Sequence, residues 1–510
     1  MAVFTASDLE QGTPASAAPT KASVERTSHD LLRALAAEPT KAAFSTVVLR
    51  GLVSAGEWFA MALAGLIPYY SYIQPHLGPQ PLYFGVIAFG ATSAIVVFQA
   101  LRVYSSQSFR RPLRTILRMV AGWTILFFAM LALTFFLKAD QELSRVWTAT
   151  WFALGVMFLA IIRVALARFV VELGRAGRFQ RRAVVVGGGE IGGDLLRDLK
   201  KADPAEIRVL GVFDDRSDAR SPGSVEGFPK LGSVDDLVDF ARRSRLDLAI
   251  FALPITAEQR ILTMLRKLWV LPIDVRLAAH SSRLRFRPRS YSHVGPAPVL
   301  DILDKPIADW DIVIKLAFDK VVGSLALIAL SPALALTALA IKLDSPGPVL
   351  FRQKRYGFNN QLIEIIKFRS MYAGALDPTA SQLVTRDDER VTRVGRIIRR
   401  ASIDELPQLF NVVFKGDLSL VGPRPHATHA KAADRQYDEV VEGYFARHRV
   451  KPGLTGWAQV NGWRGETDRP EKIQSRVEHD LYYIENWSIL FDLYILALTP
   501  LSILKATNAY

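Results

Sequence analysis

"KVVGSLALIALSPALALTALAIK", Lys320 to Lys342, is the stretch whose reading decides the fold. The residues between its lysines are uncharged and numerous enough to cross a bilayer as one helix. Ser331-Pro332 stands in the middle. Proline has no backbone N–H, and its ring crowds the carbonyl four residues back, so a kink or break is expected there. Both flanks are basic: Lys315 and Lys320 before, and Lys342, Arg352, Lys354 and Arg355 after. A crossing helix shows charge asymmetry, whereas a segment that enters and returns shows this symmetry. The Ser331 hydroxyl can serve carbonyls freed at the bend. Residues 312–343 are therefore expected to form a re-entrant helix broken at Ser331 and Pro332. The chain after it then stays on the side from which it entered.

The chain has 510 residues, half of them hydrophobic, and the apolar excess is clustered. Four runs, at 44–70, 82–101, 119–137 and 146–162, each approach bilayer length. The loop after the second carries Arg102, Arg110, Arg111, Arg114 and Arg118, and the chain after the fourth carries Arg163, Arg168, Arg175, Arg178, Arg181 and Arg182. The loops after the first and third have no cationic excess. Both ends of this unit, 44–174, are thus expected on the cytoplasmic side. The net charge of +14 follows the same placement and points to a membrane rather than to nucleic acid. Glu57, inside the first run, is read as pairing locally near the cytoplasmic end, with a functional role as the alternative. Residues 1–43, rich in Ala, Ser, Thr and Pro, are expected to be a flexible cytoplasmic tail. The absence of cysteine excludes disulfides, thiolate metal sites and cysteine nucleophiles.

From 175 to 300 strands and helices alternate, as in an open, largely parallel Rossmann-like α/β sheet. "RRAVVVGGGEIGGDLL" places Gly187, Gly189 and Gly192 between a buried strand and a helix. Asp214 and Asp215 end the next strand, where a ribose-binding acid would stand. Gly187, Gly189, Gly192 and Asp214 are candidate nucleotide-binding residues. The competing reading is that the glycines serve only the turn and the helix–strand packing.

Residues 301–510 carry four stretches that read as chemistry. "SPGPVLFRQKRYGFNNQLIEIIKFRSM" spaces Arg352, Lys354, Arg355, Lys367 and Arg369 along strands and turns, which suits an anionic ligand. "RVGRIIRRASIDELPQLFNVV" sets an arginine stripe before Asp404-Glu405-Leu-Pro. There the acids serve either as a helix cap or as a carboxylate held ionised beside a phosphate site, able to attack phosphorus. "GPRP" fixes Arg424 in a stiff turn suited to bidentate phosphate binding. "VKPGLTGWAQVNGWRG", with Thr455, Trp457, Gln459 and Arg464, suits sugar or base recognition, or is a structural turn. The closing apolar run, Leu493 to Leu504, is too short to span and is expected in the interface or against the domain.

"FRQKRYG", "KFRSM", "SIDELPQLFNVVFKGDLSLVGPRP" and "KPGLTGWAQVNG" resemble, in the family's order, the bacterial sugar transferases, the monotopic phosphoglycosyl transferases. The preceding four helices and Rossmann-like domain resemble the large subgroup, the polyprenyl-phosphate hexose-1-phosphate transferases. The resemblance implies a multidomain membrane protein with an α+β monotopic catalytic domain and a re-entrant Ser-Pro helix, at the bacterial inner membrane with catalysis on its cytoplasmic face. It implies passage of a hexose 1-phosphate, glucose by family expectation, from a UDP-sugar to undecaprenyl phosphate with release of UMP. It also implies a covalent intermediate on Asp404, Glu405 as acid/base partner, Mg2+ held by Asp404, and Arg424, Lys367, Arg369 and Arg352 as phosphate-binding cations. A homodimer fits the family. The alternatives are a membrane-anchored NAD-dependent nucleotide-sugar oxidoreductase or epimerase, and a non-catalytic assembly scaffold.

Overall fold

The computed structural model describes residues 30–38, 44–105, 108–109, 112–136, 143–175, 177–202, 206–216, 223–279, 292–375, 388–425, 431–432, 435–436, 441, 443–463 and 470–505. The chain forms two compact units: Lys41–Gln180, and Arg181–Tyr510 together with the residues before 41.

The first unit is helical. Its helices α1 (Thr46–Pro68), α2 (Pro81–Ala100), α3 (Pro112–Phe136) and α4 (Arg145–Arg175) carry four segments long and apolar enough to cross a membrane. Trp123, Trp147 and Trp151 fill the space between them, and each indole N–H finds a main-chain carbonyl. Glu57 is buried and pairs with Arg163 at 2.8 Å, while the Tyr104 hydroxyl donates to its other oxygen at 2.8 Å. The local pairing expected for Glu57 is what the unit contains. Arg110 and Arg111 lie outside the described residues.

The second unit begins with the Rossmann-like sheet. Strands β1 (Arg181–Val186), β2 (Ile207–Phe213), β3 (Ser224–Val225), β4 (Phe228–Gly232), β5 (Leu248–Phe251), β6 (Asp274–Ala278), β7 (Ser292–Val294) and β8 (Ala297–Leu303) lie in the order β3-β4-β2-β1-β5-β6-β8-β7. The five central strands are parallel, and the outer ones are antiparallel to their neighbours. Valines of β1 are fully buried because helices α5 (Glu190–Lys200), α6 (Val234–Arg243) and α7 (Glu258–Leu268) cover both faces.

The flexible tail expected for residues 1–43 needs correcting at its end. Residues 30–37 are helical, and Leu32 and Leu35 join the core of this sheet. Arg182 donates to the Leu35 carbonyl, and Arg208 holds Glu38 through two hydrogen bonds at 2.9 and 3.0 Å. Residues 1–29 and 39–43 lie outside the described residues.

After the sheet comes one long helix, α8 (Asp309–Asp344), with Pro332 inside it. The helix continues through the proline rather than stopping at it, which leaves a bend, not a break, as what Pro332 can impose. Pro332 cannot donate to the Ile328 carbonyl four residues earlier. The Ser331 hydroxyl donates to that oxygen instead, at 2.8 Å. Leu325, Ile328, Leu336 and Leu339 are exposed along one side of the helix. The other side packs on the C-terminal fold along its length. Phe318, Val322 and Leu330 meet the core of Leu409, Val412 and Leu420, and Leu334 and Ile341 meet Phe368 and Ile398. Lys315 reaches Asp492 (2.6 Å) and the Val421 carbonyl (3.1 Å), and Asp344 accepts from the Val394 amide (3.2 Å).

The C-terminal fold is small. The hairpin β9 (Leu350–Tyr356) and β10 (Leu362–Phe368) is followed by the basic helix α9 (Arg393–Arg400). A short parallel pair, β11 (Ser419–Val421) and β12 (Gly453–Thr455), joins two motifs distant in sequence. Helices α10 (Pro470–Glu485) and α11 (Ile489–Lys505) close it. Ile495 of α11 is fully buried, so the closing apolar run packs against the domain.

Candidate active site

Asp404 and Glu405 sit in a single 3-10 turn, Ile403–Glu405. Ser402 before it is left-handed, with φ 58°. That conformation is uncommon for a residue with a Cβ and is characteristic of held, functional turns. The turn lies against β10, whose Lys367 donates to Glu405 at 2.9 Å. Arg424 reaches the same carboxylate with both terminal nitrogens, one at 3.0 Å. Glu405 thus joins two cations from two motifs. Asp404 beside it accepts no hydrogen bond from any described residue.

The electrostatics separate the pair. Burial and the charge of Glu405 push Asp404 up to about 6, against Lys367, Arg399 and Arg424. Burial would raise Glu405 too, but Arg424 and Lys367 outweigh it and hold Glu405 well below the usual carboxylate range. The two acids of the pair are therefore held on opposite sides of the usual carboxylate range. Glu405 is the firmly ionised member, with no proton to give, and Asp404 is the one near its titration point. The reason is position: the arginine and the lysine both bond the second acid of the pair.

Strand parity sorts the remaining cations. Directly opposed residues of a hairpin share a face. Lys367 stands opposite Phe351, Ile365 opposite Gln353 and Ile363 opposite Arg355. Arg352 is opposite Ile366 and Lys354 opposite Glu364, on the other face. Arg352, expected to bind phosphate, therefore points away from the dyad and pairs loosely with Glu364 at 3.4 Å. Arg369, expected in the same role, is 1% exposed and donates to the Ser345 and Pro346 carbonyls, both at 2.7 Å. It ties the end of β10 to the chain leaving α8. Arg355 takes their place, oriented by the Gln353 side chain and reaching the Pro425 carbonyl. A cleft lined by Arg355, Lys367, Glu405, Gln408, Arg424 and Leu454 results.

The "GPRP" and "KPGLTG" motifs form one bonded unit. The Gly453 amide donates to Pro423, and the Gly422 amide to Thr455, at 3.0 and 2.9 Å. Thr455 bonds Thr499, and Trp457 stacks among Tyr482, Phe491 and Tyr494, so both serve the fold. Gln459 is buried, and its side-chain oxygen has no hydrogen-bond partner among the described residues. Arg464 lies outside the described residues.

Asn411 was not legible as a site residue. Fully buried, its side-chain amide accepts from the Ile366 amide (3.0 Å) and donates to the Glu364 carbonyl (2.7 Å). It pairs with the outer edge of β10 as a further strand would. The segment after the dyad is thereby anchored to the strand that carries Lys367.

The Rossmann-like glycines have a different setting. A Cβ on Gly192 would lie 2.2 Å from the Gly187 carbonyl oxygen, so close packing alone requires glycine there. Gly189 caps helix α5 (Glu190–Lys200), whose first residue is acidic and disfavours a phosphate. Asp214, 2% exposed, accepts from the Gly188 and Arg216 amides and from Arg260. Those bonds occupy the carboxylate expected for a ribose and favour the structural reading of the motif.

Among the described residues no cluster of three or more metal-ligating side chains occurs. A carboxylate that accepts no hydrogen bond from a described residue, beside a cleft lined by cations, still fits Mg2+, which is commonly held by one or two carboxylates and substrate phosphates.

Comparison with known proteins follows these motifs. Residues 310–506 match the family model for bacterial sugar transferases, and residues 99–279 match a CoA-binding domain model. A UDP-glucose:undecaprenyl-phosphate glucose-1-phosphate transferase of Escherichia coli K12 is 35% identical, covering 88% of this chain and 92% of that one. An undecaprenyl-phosphate glucose phosphotransferase of Komagataeibacter xylinus is 40% identical, covering 65% of this chain and 61% of its own. An exopolysaccharide production protein of Rhizobium leguminosarum is 48% identical over 38% of this chain and 96% of its own length.

Proposed function

This chain belongs to the bacterial sugar transferase family, and from that premise we propose that it moves glucose 1-phosphate from UDP-glucose to undecaprenyl phosphate, releasing UMP. The observation that carries the reading is the Asp404–Glu405 turn between Lys367 and Arg424. Both substrates are phosphates, and the cleft presents Arg355, Lys367 and Arg424 around Glu405, with Asp404 beside it in the same turn.

In the first step an Asp404 oxygen attacks the β-phosphorus of UDP-glucose. The bond from that phosphorus to the bridging oxygen breaks, and UMP leaves with the bridging oxygen and its electron pair. UMP is a stable anion, so no proton donor is needed at this step. In the second step a phosphate oxygen of undecaprenyl phosphate attacks the phosphorus of the aspartyl-phosphoglucose. The Asp404–phosphorus bond breaks, and undecaprenyl-diphospho-glucose forms. Arg424 and Lys367, already charged and aimed, take the phosphoryl oxygens, with Arg355 at the cleft wall. Glu405 keeps the two cations in place. Bound Mg2+, held by Asp404 and the diphosphate, would neutralise charge developing on the phosphates.

The catalytic domain works on the cytoplasmic face of the inner membrane, with α8 re-entrant. Support comes from the packing of α8, whose two halves rest on the same domain while one long side is left for lipid. A helix attached this way keeps both its ends with that domain. The lipid phosphate then meets the cleft at the headgroup plane.

The test is UMP release by the full chain in nanodiscs, with undecaprenyl phosphate and Mg2+. UDP-glucose should give release that depends on lipid and metal, and UDP-galactose and N-acetylated sugars little. No release with any of these donors from folded protein would overturn the reaction class.

A further inference from the structure

Proline fixes the φ angles of the "GPRP" turn but not its place in the domain. Three successive carbonyls do that. Pro423 accepts from the Gly453 amide (3.0 Å), Arg424 from Arg447 (2.8 Å) and Pro425 from Arg355 (3.3 Å). Arg447 holds the middle one, on the residue whose side chain grips Glu405. Arg447 is 1% exposed, lies over the Tyr444 ring, and donates to Asp480, itself 2% exposed, at 2.5 Å. Neither Arg447 nor Asp480 lines the cleft.

A pair this buried is weak evidence for stability, because well-packed apolar residues in its place are often as stable. Its distinctive property is direction. A guanidinium is planar and forked, and one held by a carboxylate and a ring face presents its remaining N–H groups at a fixed angle. Here that angle ends on the Arg424 carbonyl.

We propose that Arg447, held by Asp480, is a positioning residue for the transfer reaction, fixing the main chain at Arg424 and so the approach of that guanidinium to Glu405 and the substrate diphosphate. The inference rests on the proposed function. The Rossmann-like domain bears on the same turn, Tyr444–Arg449, since Arg242 lies over the Phe445 ring and Arg449 donates to the Asp304 carbonyl. Arg447 itself contacts only catalytic-domain residues in these bonds, so the role belongs to the transferase fold.

The experiment uses the full chain in nanodiscs. Arg447→Lys keeps a charge for Asp480 but not the planar, fixed direction in which one terminal nitrogen, Nη2, donates to both Asp480 and the Arg424 carbonyl. The expected result is a near wild-type melting temperature with UMP turnover reduced about 10- to 100-fold. In an Arg424→Ala background, adding Arg447→Lys should change turnover less than about twofold, because the residue acts through the one already removed. A purely structural role predicts losses that multiply. If Arg447→Lys fails to fold, Arg447→Met with Asp480→Leu removes both charges and is read the same way. Full turnover in the folded variant, or multiplying losses, overturns the inference while wild-type release leaves the reaction standing. Wild-type protein silent with every donor overturns both.

Discussion

A Cβ placed on Gly453 would lie 2.1 Å from the amide nitrogen of Gly422. Two motifs separated in sequence therefore meet backbone to backbone, and Arg424 is aimed from their contact. Gly453→Ala has no space to enter and must push the "GPRP" turn away. The expected cost is about 1–3 kcal/mol of stability and at least about tenfold in UMP release, read by thermal melting and by the release assay.

Asp404→Asn should separate activity from stability. The folded Asp404 titrates at about 6 rather than at its ordinary 3.8, so folding disfavours its charged form. That penalty is fully present above about pH 6 and fades as pH falls towards 3.8. Removing the charge should abolish turnover yet stabilise the protein at pH 7 by on the order of 1–3 kcal/mol. An inactive variant that melts lower than wild type at pH 7, but not at pH 4, would contradict this account.

The same titration sets a pH profile. Attack needs the carboxylate, so at low, sub-saturating Mg2+ the single-turnover burst of UMP formed without lipid acceptor should fall below about pH 6. Cations near a carboxylate favour its charged form, so Mg2+ should carry this limb to lower pH. Rapid-quench measurements of the burst across pH 4.5–8, on the order of one point per half unit, would place the limb.

Arg355 and Arg352 make a paired comparison across the hairpin. Arg355→Ala removes a cation from the cleft and should cost about 10- to 100-fold in turnover. Arg352→Ala, on the opposite face, should stay within about twofold, since its partner is a loosely held surface acid. Reversal of the two in steady-state assays would show that the hairpin register is misread.

Much of this was legible in the sequence. Apolar run lengths and arginine placement marked the helices α1 to α4, and strand–turn–helix alternation marked the sheet. From spacing alone the acids read equally as a helix cap, and the dyad, Lys367 and Arg424 stood out through the motifs that resemble the sugar transferase family. What was not legible depends on registers that only folding sets. Arg352, Arg355 and Arg369 are chemically alike in a row of cations, and pairing with β10 decides which face the first two take. Asn411 reads as an ordinary polar residue until a strand edge lies beside it. The helix at 30–37 was hidden in a composition-biased stretch, although Leu31, Leu32 and Leu35 carry helical spacing. Pro332 argued for a break, and a single hydroxyl one residue earlier answers the carbonyl it strands.

The docking of Leu32 and Leu35 into the sheet core has a consequence for biosynthesis. The domain is assembled from two pieces of chain with the whole helical unit threaded between them. The first piece leaves the ribosome early and has nothing to fold on until β1 to β6 have been made. At ordinary elongation rates the wait is on the order of ten seconds. Throughout it, two leucines that end inside a core are exposed beside a translocating membrane segment, where a chaperone or the bilayer surface would compete for them.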